Sequence, residues 1–532
     1  MRNKGSKDNR TSLPRGVIFN AYPDSIGGRL SGSVDLLKRP ELKDVFSQLY
    51  ILPTIFHSDL DRGFSVIDYD LNEELVVASD LEELCKLGIS LKLDLVVNHL
   101  SVNSPQFQDL LQKGDASYYK DFFIDWNSFW RGHGNMGPEG YKIPKKEYLD
   151  KLFMRKPGLP VMEIEFLDGT RRFFWNTFYR EVKDENGKKS YLGQLDLNGR
   201  SEIVWAFFEQ TFEKLRDYGA LIIRLDAFAY LHKEVGESNF FNRPGTWDYL
   251  ARLDLLAQSN KLAILPEIHS RYGSGLHKEI AGRGYPFYDF FFPGLIIDAL
   301  ERRSAERLLY WIDEIKRNGY RTINMLGCHD GIPLLDLKGE KDNKDQKGGL
   351  LTDRQIDDLV DLIVERGGRV KDLYGPDGSK ISYYQVNATF FSALGENESK
   401  LLLARAIQLF MPGIPQVWYL DLFAGKNDYA AADLAGTAGH KEINRTNLSL
   451  KKVKKGLKGQ VVKDQLTLLH LRNTSPAFTG TLMVEKNAVP HRFRLGWRSS
   501  GCEAILSVDL RNLSFTVRHV DQSGKTSFIS HK

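Results

Sequence analysis

Short apolar runs alternate along the chain with longer segments in which apolar residues recur at helical spacing. Most of the short runs lack polar alternation, which is typical of strands that are covered on both faces. They predict eight parallel strands, over Gly16–Tyr22, Leu49–Pro53, Leu91–Val97, Leu221–Leu225, Leu262–Pro266, Tyr288–Pro293, Thr322–Leu326 and Ile414–Tyr419. Helices are predicted between them, over Asp80–Leu87, Glu202–Tyr218, Trp247–Ala257, Ala305–Arg317 and Lys400–Phe410.

Eight strands with interleaved helices favour an α/β fold, the (β/α)8 or TIM barrel. Two large gaps between the predicted strands indicate insertions: an aromatic-rich one with a hairpin signal at Asn186 and Gly187, and one with a charge-dense loop over 338–349. After about Pro476, short alternating segments predict an antiparallel β domain. The predicted division is a flexible tail over 1–15, the barrel over 16–98, 201–331 and 396–477, an inserted domain B over 99–200, an inserted B′ region over 332–395, and a C-terminal β domain over 478–532.

Composition narrows the possible classes of function. The chain has 532 residues, 42% of them hydrophobic and 27% charged, which is enough apolar material for a large core. A net charge of +4 predicts no nucleic-acid partner. The cysteines lie far apart and form no CxxC pair, and no apolar run is long enough to span a bilayer. We therefore expect a cytoplasmic protein with no membrane partner, either a monomer or a homodimer.

Polar residues cluster where four of the predicted strands end. The clusters are Asp94-Leu-Val-Val-Asn98-His99, Arg224-Leu-Asp226, Glu267-Ile-His269 and His329-Asp330. Taken singly, an acid at a strand end more often caps a helix or forms an ion pair. Because active sites of such barrels lie at the C-terminal ends of the strands, however, these clusters are expected to converge on one rim.

Three of these carboxylates, Asp226, Glu267 and Asp330, suit glycoside cleavage. That reaction needs one carboxylate as nucleophile and one carboxylic acid to protonate the leaving oxygen. Arg224 and Asp226 are two residues apart on a strand, so the guanidinium is expected to face the aspartate and keep it ionised, which favours Asp226 as the nucleophile. Glu267 follows the apolar run Ile264-Leu-Pro266, where partial desolvation would keep it protonated as the general acid.

The four clusters resemble, in order and spacing, the motif regions of the α-amylase superfamily, glycoside hydrolase family 13. Other segments resemble its sucrose phosphorylase subfamily: Tyr22-Pro-Asp24-Ser, Asp61-Arg-Gly63-Phe64, Lys156-Pro-Gly-Leu-Pro160, Arg224-Leu-Asp226-Ala-Phe-Ala-Tyr230, Cys328-His-Asp-Gly-Ile332, Tyr384-Gln-Val-Asn387, Ala424-Gly-Lys-Asn-Asp428 and Glu442-Ile-Asn-Arg445. The resemblance covers nearly the whole chain from about Gly16. It implies a retaining phosphorylase that converts a glucoside such as sucrose, with inorganic phosphate as co-substrate, to α-D-glucose 1-phosphate and fructose.

The resemblance also implies a role for each matched residue. Asp226 would become covalently β-glucosylated, Glu267 would act as general acid and base, and Asp330 would stabilise the oxocarbenium-like transition state. Asp61 and Arg445 would close the back of the glucose pocket. The residues implied to bind the substrate, with His269 and Gln385 near the acceptor subsite, are Asp61, Phe64, His99, Phe178, Arg224, Tyr230, His269, His329, Gln385 and Arg445.

Phosphate attacks as an anion and needs cations around it. The predicted phosphate and acceptor residues are Arg155, Lys156, Tyr383 and Tyr384. Typical sucrose phosphorylases carry Asp-Leu-Tyr-Gln where this chain has Ser382-Tyr-Tyr-Gln385, so the fructose contact is open. Phosphosucrose-specific relatives have an arginine where Arg155 stands but a histidine where Tyr384 stands. Sucrose 6′-phosphate, glucosylglycerol and glucosylglycerate therefore stay alternative donors.

Two rival functions also stay open. One is hydrolysis or transglucosylation, which the phosphate dependence of turnover would distinguish. The other is a catalytically silent sugar-binding protein on the same fold, although the intact set of carboxylates favours an enzyme. No metal or organic cofactor is expected: the histidines lack the i, i+4 spacing of a zinc helix. Asn98 resembles a position that serves calcium in amylases, but the subfamily generally lacks that ion.

Overall fold

The computed structural model describes residues 13–155, 158–178, 182–183, 189–191, 193–340, 348–374, 380–435 and 439–532. For 182–183, 189–191, 371–374 and 380–384, the backbone alone is described. The predicted hairpin at Asn186 and Gly187, residues 1–12 of the predicted tail and residues 341–347 of the charged loop lie outside these ranges. The predicted domain boundaries stay predictions.

An eight-stranded parallel sheet forms the centre of the molecule, and its strands lie side by side in chain order. We number them β1 (Ile18–Ala21), β2 (Gln48–Ile51), β3 (Ser90–Val96), β4 (Ala220–Asp226), β5 (Ala263–Pro266), β6 (Phe287–Asp289), β7 (Thr322–Met325) and β8 (Ile414–Trp418). Because β1 pairs with both β2 and β8, the sheet curls into a barrel whose two edges are β5 and β6. The predicted barrel is confirmed, and the C-terminal ends of its strands lie on one rim.

Amphipathic helices cover the outside of the barrel. Glu306–Asn318, for example, buries Leu308, Trp311 and Ile315 at helical spacing and ends at Gly319, whose φ of 64° suits a left-handed cap. The longer helices are Leu30–Leu37, Ala78–Lys86, Pro105–Lys113, Glu202–Asp217, Gly245–Ser259, Leu276–Gly282, Phe292–Arg302, Glu306–Asn318, Asp353–Glu365, Glu398–Phe410, Leu450–Gly456 and Gln460–Thr474. In the described part of the chain, none of the helices is both long and apolar enough to cross a membrane.

The prediction for the sixth strand is wrong in its second half. β6 ends at Asp289, and a helix begins at Phe292, with Pro293 in its first turn where its missing N–H costs nothing. Asp289 Oδ1 accepts a hydrogen bond from the Phe292 N–H at 3.0 Å, which turns the chain into the helix. An apolar run does not by itself distinguish a buried strand from a buried helix.

The segments between barrel strands form small antiparallel sheets. Between β3 and β4 the pairs are His99–Ser101 with Gln194–Asp196, Gly134–Met136 with Lys142–Pro144, Val161–Glu165 with Arg171–Trp175, and Val182–Lys183 with Lys189–Tyr191. Phe56–Ser58 pairs with Val66–Leu71 after β2, and Arg369–Tyr374 pairs with Lys380–Asn387 after β7. The predicted C-terminal β domain is confirmed as a five-stranded antiparallel sheet of Thr481–Lys486, Arg492–Ser499, Cys502–Asp509, Ser514–Val520 and Thr526–His531.

Candidate active site

Arg224 lies buried at the centre of the rim, in contact with three carboxyl groups. The register of β4 against β3 sets it opposite Asp94, with which it forms an ion pair. Its Nη1 lies 3.1 Å from Asp226 Oδ1 and its Nη2 lies 2.5 Å from Glu267 Oε1. Neighbouring strands thus bring the two predicted catalytic carboxyls onto one guanidinium.

The pKa of Asp226, one of the pair of carboxyls on Arg224, is shifted strongly upwards. Burial raises this pKa well above its usual range; Arg224 opposes the rise, and the nearby Glu267 adds to it. Contact with Arg224 therefore does not by itself lower the pKa of Asp226, contrary to the expectation from the sequence.

Asp330 differs from this pair because cations surround it. Burial alone would raise its pKa, but His329, Lys441 and Arg445 outweigh that effect and hold the pKa well below its usual range. Its Oδ2 lies 3.3 Å from His329 Nε2, and its Oδ1 forms an ion pair with Lys441. Asp330 is therefore an ionised carboxylate at the pocket.

His269 lies between two carboxylates. Its Nδ1 is 3.1 Å from Asp336 Oδ2 and its Nε2 is 3.8 Å from Glu267 Oε1. Burial lowers the pKa of His269, but Asp336 and Glu267 outweigh this and raise it. A carboxyl oxygen of Glu267, a ring nitrogen of His269 and a carboxyl oxygen of Asp330 all lie within 4.8 Å of one another. The His269 ring therefore lies close to the acids that follow two different barrel strands.

Phe64 and His329 form one wall of the pocket. Their rings stack at 5.1 Å with an interplanar angle of 15°, and Arg224 Cζ lies 5.3 Å from the Phe64 ring centroid. The turn before Phe64 is left-handed at Asp61, Arg62 and Gly63, with φ of 51°, 47° and 103°. A Cβ on Gly63 would lie 2.4 Å from the Thr54 nitrogen, so glycine is required there.

Arg445 is buried behind this wall. Its Nε donates to the His329 carbonyl at 2.8 Å, and its Nη1 lies 3.1 Å from Glu442 Oε1. Burial lowers the pKa of Arg445, but Tyr22, Glu442 and Asp61 outweigh this and raise it, so the two predicted back-wall residues lie near each other. Arg445 Nη2 and His329 Nδ1 are buried and have no hydrogen-bond partner among the described residues, and such atoms usually find one in a ligand or water.

A second set of rings extends from His99 towards domain B. His99 lies 4.7 Å from the Phe178 ring, and Phe178 lies 5.4 Å from the Tyr230 ring. Burial lowers the pKa of His99 to about 4, so its imidazole is neutral at physiological pH. The Arg155 guanidinium covers Phe178 at 4.9 Å and donates to the Tyr230 hydroxyl at 3.1 Å. Arg155 thus lies at the outer end of this row of rings.

Three further predicted residues, Tyr383, Tyr384 and Gln385, come from the strand Lys380–Asn387. Gln385 is buried there, and a Cβ on Gly331, next to Asp330, would lie 3.0 Å from Gln385 Cγ. This strand therefore lies against the loop that carries Asp330. The side chains of Tyr383 and Tyr384 and the whole of Lys156 lie outside the described residues.

A lysine ammonium lies beside Asn98, the position associated with calcium in amylases. Lys233 Nζ lies 3.0 Å from Asn98 Oδ1, 2.8 Å from Asp196 Oδ2 and 2.5 Å from the Tyr230 carbonyl. These three oxygens surround a cation, as ligands of a hard metal ion would. The protein supplies that charge itself.

No protein-family model matches the chain. A protein of Ilumatobacter coccineus named sucrose 6(F)-phosphate phosphorylase is 57% identical over 525 residues, 98% of this chain and 99% of that protein. A sucrose phosphorylase of Streptococcus mutans is 34% identical over 87% of this chain and 88% of its own length. The crystal structure of a sucrose 6F-phosphate phosphorylase from Thermoanaerobacter thermosaccharolyticum superposes with a TM-score of 0.84, at 32% identity, over 97% of this chain and 98% of that one.

The chain belongs to the sucrose phosphorylase family within glycoside hydrolase family 13. It is accordingly an enzyme of the glycoside phosphorylase type, and the silent sugar-binding alternative is set aside. The barrel that this sucrose phosphorylase family member forms brings Asp226, Glu267 and Asp330 together, as the strand-end pattern predicted.

Several residues that shape this family member's pocket were missed by the sequence reasoning. Arg62 donates to Asp24 Oδ2 at 2.9 Å and to the Arg445 carbonyl at 2.8 Å, so it holds the turn before Phe64. Lys441 and Asp336 pair with Asp330 and His269. Arg62 and Lys441 lie inside or next to recognised motifs, which was an available signal, whereas nothing near Asp336 in sequence marked it.

Proposed function

We propose that this chain is a retaining phosphorylase of sucrose 6F-phosphate. Inorganic phosphate would take the glucosyl group, giving α-D-glucose 1-phosphate and fructose 6-phosphate. The observation that carries this choice of donor is the 57% identity, over nearly the full length of both chains, with a relative of that name. Plain sucrose, glucosylglycerol and glucosylglycerate are the alternative donors.

In the first step, an Asp226 oxygen attacks the anomeric carbon and the bond to the leaving oxygen breaks. Glu267 donates its proton to that oxygen, so fructose 6-phosphate leaves as a neutral alcohol at the broken bond. The positive charge that develops on the sugar ring is stabilised by Asp330, whose low pKa keeps it ionised. Arg224 holds both reacting carboxyls through its two nitrogens.

In the second step, a P–OH oxygen of hydrogen phosphate attacks the same carbon from the opposite face. The ester bond to Asp226 breaks and restores its carboxylate, and the proton of the P–OH group passes to Glu267. Two displacements at one carbon retain the α configuration. Both catalytic carboxyl groups are restored to their starting states, and no step is a redox step. We therefore propose that the reaction uses neither a metal nor an organic cofactor.

The position of Arg155 supports the proposal that the donor is phosphorylated. Its guanidinium is held by the Tyr230 hydroxyl and the Phe178 ring at the outer end of the row that begins at His99. Arginine binds phosphate through charge-assisted, often bidentate, hydrogen bonds, and its planar guanidinium also stacks on aromatic rings. We assign this arginine to the 6-phosphate of the fructosyl group; Lys156, Tyr383 and Tyr384 stay predicted from the sequence as further phosphate and acceptor residues.

A donor panel tests the proposed function. The enzyme is incubated with phosphate and, separately, sucrose 6F-phosphate, sucrose, glucosylglycerol and glucosylglycerate, and glucose 1-phosphate is measured against free glucose. The expected result is phosphate-dependent glucose 1-phosphate formation, with the highest kcat/KM for sucrose 6F-phosphate. A higher kcat/KM for another donor would overturn the donor, and free glucose formed at the same rate without phosphate would replace phosphorolysis by hydrolysis.

A further inference from the structure

A lysine lies fully buried inside the barrel, beneath the carboxyls of the site. Lys92 is 0% exposed and stands two residues before Asp94 on β3, so both side chains point towards the barrel interior. A charged group in a protein interior is costly unless other groups compensate it. Lys92 therefore needs polar or charged partners inside the barrel, and a functional role would explain why so costly a residue is present there.

The partners of Lys92 come from strands on several sides of the barrel. Its Nζ donates to Gln416 Oε1 on β8 at 2.7 Å and to the hydroxyl of Tyr288 on β6. It also lies 4.0 Å from the ring centroid of Tyr50 on β2, within the range of a cation–π interaction. Dipoles and aromatic faces thus solvate the amine in place of water.

Tyr50 connects this lysine to the site above it. Its hydroxyl lies 3.0 and 2.9 Å from the two carboxylate oxygens of Asp94. Asp94 forms the ion pair with Arg224, which in turn contacts Asp226 and Glu267. The contacts therefore run without a gap from the amine to the two carboxyls that are proposed to react.

We propose that Lys92 is a positioning residue, whose amine holds the Tyr50 ring and through it Asp94, and so keeps Arg224 between the two carboxyls of the site. Burial and, after it, Arg224 lower the pKa of Lys92 well below its usual range, although Asp94 and Glu267 oppose this. The titratable and charged groups that face it from the surrounding strands are Tyr50, Asp94, Arg224, Glu267, Tyr288 and Cys328.

The pH profile of Lys92→Met tests this role, which rests on the proposed roles of Asp226 and Glu267. Methionine fills a similar volume without charge, so the full-length variant is compared with wild type in phosphorolysis. We expect kcat to fall about tenfold or more with little change in KM, because substrate does not touch Lys92. Both limbs of the pH profile should move to higher pH, since a guanidinium of Arg224 displaced from the two carboxyls no longer favours their ionised forms.

Arg472→Met provides the control, since Arg472 is a partly buried cation that donates to the Gly413 carbonyl beside the C-terminal sheet. It should lower Tm without moving either pH limb. If the limbs of the pH profile of Lys92→Met stay at the wild-type pH and only Tm is lowered, the positioning role of Lys92 is overturned. If Lys92→Met does not fold, Tyr50→Phe breaks the link to Asp94 and should shift the limbs in the same direction; unmoved limbs would again overturn it. Wild-type protein that phosphorolyses no donor would instead defeat the proposed function.

Discussion

The floor of the pocket and its outer side are built from different parts of the chain. Asp226, Glu267 and Asp330 stand at or just after barrel strands, and Arg224 and the buried network fix the first two. Arg155 and the strand Lys380–Asn387 belong to the segments inserted after β3 and β7. The floor is therefore held by strand register, whereas the outer side depends on loops.

We infer from this difference that the floor determines the chemistry of the reaction and that the outer side determines which donor is accepted. The strand register that sets Arg224 opposite Asp94 helps to fix the carboxyls of the floor relative to one another, so we expect the same carboxyl geometry to serve each donor of the panel. The inserted segments carry no such constraint, and they can change the leaving group without disturbing the floor. Variants on the floor should consequently affect all donors alike, and variants on the outer side should discriminate between them.

The largest effect is expected from Asp226→Asn. Asparagine keeps the shape of the side chain but removes the nucleophile, so activity should fall by about 10⁴-fold or more with every donor. The measurement is glucose 1-phosphate formation from the full donor panel, with thermal unfolding to confirm a folded variant. Loss with one donor only would break the assignment of Asp226 to the shared floor.

Glu267→Gln should give a smaller and more selective loss. Without its acid, phosphorolysis of sucrose-type donors should fall by about 10³-fold, because their leaving oxygen needs a proton. α-D-Glucosyl fluoride leaves without protonation, so its consumption should fall far less. Equal losses with both donors would show that Glu267 does not act as the acid.

Arg155→Ala should sharpen the contrast between floor and outer side. Removing a charge-assisted contact to phosphate should lower kcat/KM for sucrose 6F-phosphate about ten- to hundredfold, with a much smaller change for sucrose. Arg171→Ala is the control, since Arg171 lies in the same inserted segment and pairs with Glu163 on its exposed surface. Equal losses for both donors would remove Arg155 from the acceptor side.

The smallest effect is expected from Asp336→Asn, which acts through His269. Asp336 raises the pKa of His269, so the imidazole carries its proton below that pKa and loses it as pH rises through it. The substitution should move this titration to lower pH. NMR of protein with isotope-labelled histidine measures the midpoint of the His269 titration, and His269→Asn assigns its signal. An unchanged midpoint in Asp336→Asn would contradict the pairing of Asp336 with His269.

The sequence could predict the barrel because its strands are short apolar runs with polar ends. This pattern can be recognised without knowing which strands lie next to each other. It failed at Phe290–Pro293, where an apolar run is equally compatible with a buried helix. It also missed Lys92, Asp336 and Lys441, which matter through partners that are distant in sequence. Residues that mark a strand end can be found from spacing, but a cross-barrel contact depends on strand order and register.

Mass spectrometry of the covalent intermediate tests the central claim most directly. Glu267→Gln, incubated with α-D-glucosyl fluoride in the absence of phosphate, should accumulate a glucosyl enzyme because the second step also needs Glu267. Proteolysis should then yield one glucosylated peptide, with the sugar on Asp226, and added azide should release the sugar as the α-glucosyl azide, because azide attacks the β-glucosyl ester from the opposite face. A glucosyl group on another side chain, or turnover without any adduct, would contradict the account.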